Sequence, residues 1–186
     1  LALAITVLIG VVLFAALGKD PVRALQMFFW EPIKSPYALG ELGVKATPLL
    51  LIALGLAVCF RSNVWNIGAE GQFIIGAIAA GGVALLAGKD TGRWIFAAVL
   101  LAGVLGGMLW AGLTAFLRDR FNANEILVSL MLVYVAEMVV SYLVYGPWKD
   151  PQGYNFPQTV TFAAPTKVPR LFEGLRVNIG LVIALI

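Results

Sequence analysis

Residues 94–117 read WIFAAVLLAGVLGGMLWAGLTAFL, a run without a single charged side chain. A helix that crosses the hydrocarbon core of a bilayer needs about 20 predominantly apolar residues. Backbone amides find no water at that depth, so an unbroken helix is one of the few ways to satisfy them. The run does not alternate apolar with polar, and a barrel strand needs only about 10 residues, so a strand is excluded. Arg93 and Arg118 bound the run and fix its two ends.

The same pattern recurs on both sides. Residues 1–18 are uncharged. Residues 46–60, between Lys45 and Arg61, are short for a span and are expected to extend past one boundary. Residues 71–88 follow a polar entrance at 66–70. Residues 126–148 are interrupted by Glu137, and a further apolar run starts near Val177. The spacing predicts an all-α, polytopic transmembrane helix bundle with five spans and the start of a sixth. The whole-chain figures agree. Of 186 residues, 61% are hydrophobic and 12% charged, and the mean hydropathy is +0.93. A soluble domain carries about 25% charge. This excludes a cytosolic enzyme, a disordered linker and a nucleic-acid-binding domain. The net charge of +3 contains no basic run. The absence of histidine and the single cysteine, Cys59, exclude an internal disulfide, a His-based triad and most zinc sites.

Gly103 and Gly107 form a G-x-x-x-G continued by Ala111, and Gly76, Ala80 and Ala84 form a second small-residue stripe. Such stripes let helix backbones approach closely in lipid, and they are assigned to helix packing. The connections differ. Residues 19–43 combine Pro21, Pro32 and Pro36 with Phe28, Phe29 and Trp30, as an interfacial segment does. Residues 89–93 read as a tight turn. Residues 146–176 hold five prolines from Pro147 to Pro169 and are expected to form an ordered surface loop without a regular helix. The chain begins and ends inside apolar runs, and residues 1–17 lack the basic n-region of a signal peptide. The expectation is a fragment, the N-terminal half to two-thirds of a longer membrane protein, truncated at both ends and forming a single transmembrane domain over 1–186.

Two stretches carry most of the polar chemistry. In the first, 61–72, Asn66 is expected to cap a helix, with Glu70 in its first turn, where the helix dipole favours a carboxylate. Gly68 and Gly71 permit close backbone approach or a broken helix. Gln72 adds donors and an acceptor. The stretch is either a capped helix start at the membrane edge or a discontinuous helix lining a polar path. In the second, 117–132, Asn122 and Glu125 have the spacing of a capping box. Arg118, Asp119, Arg120 and Phe121 surround it, as in a helix-to-helix turn or a docking surface for a soluble partner.

Asn66-Ile67-Gly68-Ala69-Glu70-Gly71-Gln72 followed by Asn124-Glu125-Ile126-Leu127-Val128-Ser129-Leu130-Met131-Leu132 resembles the permease subunits of bacterial ABC importers. The similar branch is that for nucleosides and simple sugars, related to the ribose and branched-chain amino-acid permeases. Gly18-Lys19-Asp20-Pro21, Lys45-Ala46-Thr47-Pro48-Leu49-Leu50 and Tyr145-Gly146-Pro147-Trp148 match in order, so the resemblance covers most of the chain. One departure is Val133, where members often carry Asn.

The resemblance implies a transmembrane permease of an ATP-driven importer in the bacterial cytoplasmic (inner) membrane, multi-pass, moving a nucleoside or a simple sugar. Asn66, Glu70 and Gln72 would lie near the substrate path. Arg118, Arg120, Asn122, Asn124, Glu125 and Ser129 would resemble the element that docks into the ATPase. The implied partners are a second permease subunit, an ABC ATPase and an extracytoplasmic binding protein or lipoprotein. No cofactor is expected on this chain; ATP and Mg belong to the partner. Arg61, Arg118 and Arg120 would be cytoplasmic, whereas a bare count of Lys and Arg places the opposite side inside. The chain itself is not expected to be an enzyme. Gly88-Lys89-Asp90 is a decoy of a phosphate loop, because Val83 stands at the first Gly position and Asp90 replaces Ser or Thr.

Trp65 and Phe73 suit stacking on a base, and Asn66 and Gln72 suit sugar hydroxyls, so both substrates stay open. The alternative from another class is an ion- or proton-coupled secondary transporter built on Glu70 and Glu137. An intramembrane hydrolase fails for want of histidine and of paired aspartates within spans.

Overall fold

A computed structural model describes residues 1–88, 91–154 and 156–186. The turn expected over 89–93 and the Gly88-Lys89-Asp90 decoy fall partly on Lys89 and Asp90, outside the described residues. The described residues are helical apart from connections and two isolated bridges, Lys149 with Thr159 and Arg170 with Asn178. In chain order the α-helices are α1 (Ala2–Ala16), α2 (Pro21–Leu25), α3 (Pro36–Arg61), α4 (Ala69–Leu86), α5 (Trp94–Phe121), α6 (Glu125–Tyr145) and α7 (Gly180–Leu185).

Four of them, α3 to α6, are long and apolar enough to cross a membrane. The expected runs at 71–88, 94–117 and 126–148 therefore become α4, α5 and α6 with small shifts at their ends. The short run at 46–60 extends backwards to Pro36, so Glu41 and Lys45 lie inside α3. Pro36 suits a first helical turn, where a missing N–H costs nothing, and the Ser35 hydroxyl accepts the Ala38 N–H at 3.1 Å. The runs at 1–18 and from Val177 are helical, but α1 has 15 residues and α7 has 6, short of a span.

The segment between α1 and α3 is built from short turns. Asp20 accepts the Val22 and Arg23 N–H groups at 2.9 and 3.3 Å and caps α2. A π-turn over Gln26–Trp30 and a 3-10 turn over Glu31–Ile33 follow, and they expose Phe28, Phe29 and Trp30. The irregular segment expected over 19–43 thus ends at Ser35, where α3 takes over.

The chain divides into two compact units, Leu1–Leu51 with Pro169–Ile186, and Ile52–Val168. In the first, Gly40 and Gly43 on α3 receive the side chains of Leu175, Val177 and Leu181, with closest approaches of 3.3 Å to where a methyl would stand. The Arg176 guanidinium bonds Glu41 at 3.2 Å. The Thr47 hydroxyl donates to the Gly43 carbonyl at 2.8 Å, one residue before Pro48 inside the helix.

In the second unit, α4 packs against both α5 and α6 through small residues. A methyl at Gly76 would stand 2.9 Å from the Gly103 carbonyl oxygen. One at Gly106 would stand 2.6 Å from Ala79 Cβ, and one at Gly107 would stand 3.2 Å from the Gln72 carbonyl oxygen. Backbone meets backbone along this seam, which is how lipid-embedded helices gain dispersion contact. The buried residues are accordingly small, including Ala84, Val133, Ala136 and Ser129, whereas Leu101, Met108 and Leu109 of α5 are exposed. The loop after α6 is ordered over the far end of α4: Trp148 lies 3.5 Å from the methyl positions of Gly81 and Gly82, and Phe162 lies 3.6 Å from that of Gly81. It holds one 3-10 turn, Ala164–Thr166, and no longer helix among its described residues, as its prolines require.

Candidate functional site

The site lies where α3 ends, α4 starts, α5 ends and α6 starts. Asn63 takes a left-handed conformation (φ 56°) just past α3. This lets the Val64 N–H reach the Cys59 carbonyl at 2.9 Å and the Asn63 N–H reach that of Phe60 at 3.1 Å, closing the helix with a Schellman motif. The chain then turns back at once, with the Trp65 ring edge-on to Phe60 at 5.8 Å.

Asn66 does not cap α4 as its position suggested. The N-cap is Gly68, without a side-chain cap. Asn66 sits two residues earlier, and its Oδ1 accepts the Gly68 N–H at 3.1 Å. The same oxygen accepts Gln72 Nε2 at 3.1 Å, and Asn66 Nδ2 donates to Gln72 Oε1 at 3.2 Å. Two side-chain amides thus exchange a pair of bonds across the first turn of α4. Gly68 can serve because nothing larger fits: a methyl there would stand 2.8 Å from Ser129 Cβ. At Gly71 it would stand 3.0 Å from Val133 Cα and 3.3 Å from Trp110 Nε1. The two glycines of the 66–72 stretch therefore seat the start of α4 directly on α6. Val133 fills that contact and is buried. Trp110 Nε1 is also buried, without a hydrogen-bond partner among the described residues.

The capping box expected from Asn122 and Glu125 is replaced by a different division of labour. Asn122 is left-handed (φ 52°) and ends α5, so its side chain cannot cap the next helix. Asn124 does so, accepting the Ile126 and Leu127 N–H groups at 2.9 and 3.3 Å. Glu125 is then free to face sideways. It pairs with the Arg118 guanidinium of α5 and accepts the Trp65 N–H at 3.4 Å. One half-buried carboxylate therefore ties together the α3–α4 connection, the end of α5 and the start of α6. Ser129 is buried and donates to the Ile126 carbonyl at 3.1 Å.

These groups surround a cavity of about 360 Å³ lined by Cys59, Val64, Trp65, Asn66, Gln72, Ala111, Thr114, Ala115, Arg118, Asp119, Glu125 and Ser129. Its wall offers two amides, two hydroxyls, one guanidinium and two carboxylates on an apolar floor. That composition suits polar, hydrogen-bonding contact. Of the residues singled out from sequence, Asn66, Gln72, Arg118, Glu125 and Ser129 line it. Glu70, Arg120, Asn122 and Asn124 do not; all four are exposed, Glu70 in the first turn of α4. Gly103 and Gly107 lie on the α4–α5 seam. Sequence reasoning missed Thr114, Ala111 and Ala115, whose only signal is helical spacing of three, four and seven residues before Arg118.

Residues 39–186 match the family described as the branched-chain amino acid transport system, permease component. The chain is 37% identical to a glucose ABC transporter permease protein of Haloferax volcanii, over 88% of this chain and 42% of the relative. It is 28% identical to a guanosine ABC transporter permease protein of Bacillus subtilis, over 81% and 43%. A nucleoside ABC transporter permease protein of Lactococcus lactis is 24% identical over 96% and 51%. The chain thus spans about half the length, or less, of these relatives. No solved structure matches it. With the family match covering α3 to α7 and four membrane-length helices in the fold, the chain belongs to the permease-component family of the branched-chain amino acid transport system and is a multi-pass membrane protein.

Proposed function

We propose that the chain is part of the permease subunit of an ATP-driven importer that moves a nucleoside or a simple sugar across the cytoplasmic membrane. The observation that carries this is the set of relatives named for glucose, guanosine and nucleoside transport. In this reading residues 1–186 are part of a single permease domain, and α1 and the run from Val177 add to the four helices of membrane length. Its partners are a second permease subunit, an ABC ATPase that holds ATP and Mg, and an extracytoplasmic binding protein or lipoprotein. The chain itself carries no cofactor and no catalytic group.

Asn66, Glu70 and Gln72 stand on the substrate path. Arg118, Arg120, Asn122, Asn124, Glu125 and Ser129 form the turn that receives motion from the ATPase. The support for linking the two groups is geometric: Glu125 bonds the Trp65 backbone one residue before Asn66, and Gly68 rests on Ser129. A displacement of the Arg118–Glu125 turn is therefore felt at the start of α4.

Charge reversal at Glu125 tests this in vesicles holding the complete transporter. Glu125→Lys is expected to abolish ATP-driven uptake, and the swap Arg118→Glu with Glu125→Arg to restore a part of it. Normal uptake with normal ATPase assembly in the single variant refutes the coupling role. Uptake that follows a pH gradient and ignores ATP depletion refutes the importer reading itself.

A further inference from the structure

The indole N–H of Trp110 on α5 is a buried donor with no acceptor among the described residues, at the junction of α4 and α6. An indole nitrogen only donates, so no change of role relieves it. Burying it unpaired weighs against this packing by about tenfold or more in population. A phenylalanine would fill an aromatic slot without that penalty.

The groups around Trp110 show what it lacks. The methyl position of Gly71 lies 3.3 Å from Trp110 Nε1, 3.3 Å from the Leu132 carbonyl oxygen and 3.0 Å from Val133 Cα. The donor and a carbonyl of α6 thus flank one spot, bordered by the backbone of Gly71. Leu132 lies inside α6, and its oxygen keeps a second lone pair beyond its helical bond. Nε1 is already enclosed by its own unit. No segment outside residues 1–186 can reach it while α4, α5 and α6 stay as they are, so an acceptor must come from within the enclosure.

The piece free to move is the start of α4. No side chain caps its first amides. Gly68 and Gly71 rest on α6 without a side chain of their own to interlock, and the Asn66–Gln72 amide pair joins two residues that travel together. The connection before α4 is tied to α6 by the long 3.4 Å bond from the Trp65 N–H to Glu125. Packed interfaces of this kind switch between discrete arrangements and do not deform continuously.

We infer that α4, α5 and α6 have a second packing, in which the first turn of α4 withdraws from α6 and the Trp110 N–H donates to the Leu132 carbonyl. The unpaired donor keeps the two packings close in free energy, so a small displacement of the Arg118–Glu125 turn selects between them. Only this last use rests on the importer reading.

The test places spin labels at Ile67→Cys and Leu127→Cys, both exposed, in the complete transporter in vesicles, with its other cysteines, Cys59 included, removed. Without nucleotide, two distances between the start of α4 and α6 are expected. Replacing Trp110 by its benzothienyl isostere puts sulfur in place of the N–H within the same double ring. It should raise the ratio of short to long distance at least tenfold, and Trp110→Phe should move it the same way. A single distance, or a ratio unmoved or lowered by the isostere, overturns the proposal. The ultraviolet resonance Raman difference between the native and isosteric proteins reads the bonding of this one indole. Its N–H should be free in the short-distance packing and bonded in the long; bonding in both, as a trapped water would give, also overturns the proposal. ATP with vanadate, and ATP-driven uptake in the same vesicles, separate the two ideas. Populations that depend on the N–H but ignore ATP, without ATP-driven uptake, keep the switch and discard the importer. ATP-driven uptake with populations that ignore the N–H does the reverse.

Discussion

α4 and α6 are both apolar helices of membrane-spanning length, yet they are satisfied in different ways. α4 buries Gly71, Gly76, Gly81 and Ala84 and lies backbone to backbone against its neighbours. α6 buries a narrow small-residue side and leaves Met131, Tyr134, Met138 and Tyr142 outside, with Met138 73% exposed. In water this difference would separate a core helix from a surface helix. In lipid it separates a helix whose contacts are complete within the unit from one whose contacts are completed by something else. Hydrophobicity does not distinguish the two; side-chain size and the position of polar groups do.

That contrast is most easily broken at the α4–α5 seam. Gly76→Leu drives a side chain toward the Gly103 carbonyl, which cannot move without its helix. The expected loss is at or above the upper end of the about 1–3 kcal/mol that overpacking costs. Thermal unfolding of the detergent-solubilised full-length subunit, read by the loss of its monodisperse elution peak, checks it. A stable Gly76→Leu would mean that α4 and α5 do not meet in this register.

Next comes the α4–α6 contact. Gly68→Ala meets Ser129 Cβ at 2.8 Å and is expected to cost about 1–3 kcal/mol. Ser129→Gly in the same chain should recover part of that loss, because it removes the nearest atom and leaves the Ser129 backbone at 3.2 Å. Additive losses in a double-mutant cycle would show that the two residues do not touch. A smaller effect belongs to the amide pair. Gln72→Leu removes two neutral hydrogen bonds that are only half-buried, for about 1–2 kcal/mol. Asn66→Leu should cost more, since it also strips the Gly68 N–H of its acceptor.

How much of this is legible in the sequence follows from which forces act locally. The cores of α4, α5 and α6 show there because an apolar run between charges has one stable form in a bilayer. The start of α3 is hidden, because Glu41 and Lys45 lie inside it and read as an end. Both asparagine caps are misplaced by the same cause. Asn66 and Asn122 each have the right residue type, but Asn also tolerates a left-handed backbone and closes local turns two residues on. Asn122 follows the first habit and Asn66 the second, while Gly68 and Asn124 take the cap positions. The two polar stretches are readable one at a time. Their meeting around one cavity is not, since it depends on helix lengths that bring the ends of α3 and α5 and the starts of α4 and α6 to one level. Thr114, a lone hydroxyl inside an apolar span, shows only through its spacing of one helical turn before Arg118.

The smallest expected effect sharpens the contrast from the other side. Met138→Ala truncates a large side chain in the middle of α6, a change that costs about 2–5 kcal/mol in a packed core. At 73% exposure Met138 has few neighbours in its own unit, and its truncation leaves no cavity behind. The stability of the isolated full-length subunit in detergent should therefore change by no more than about 0.5 kcal/mol. A destabilisation as large as that of Gly68→Ala would mean that α6 is packed within its own subunit on this side too, and the difference between the two helices would disappear.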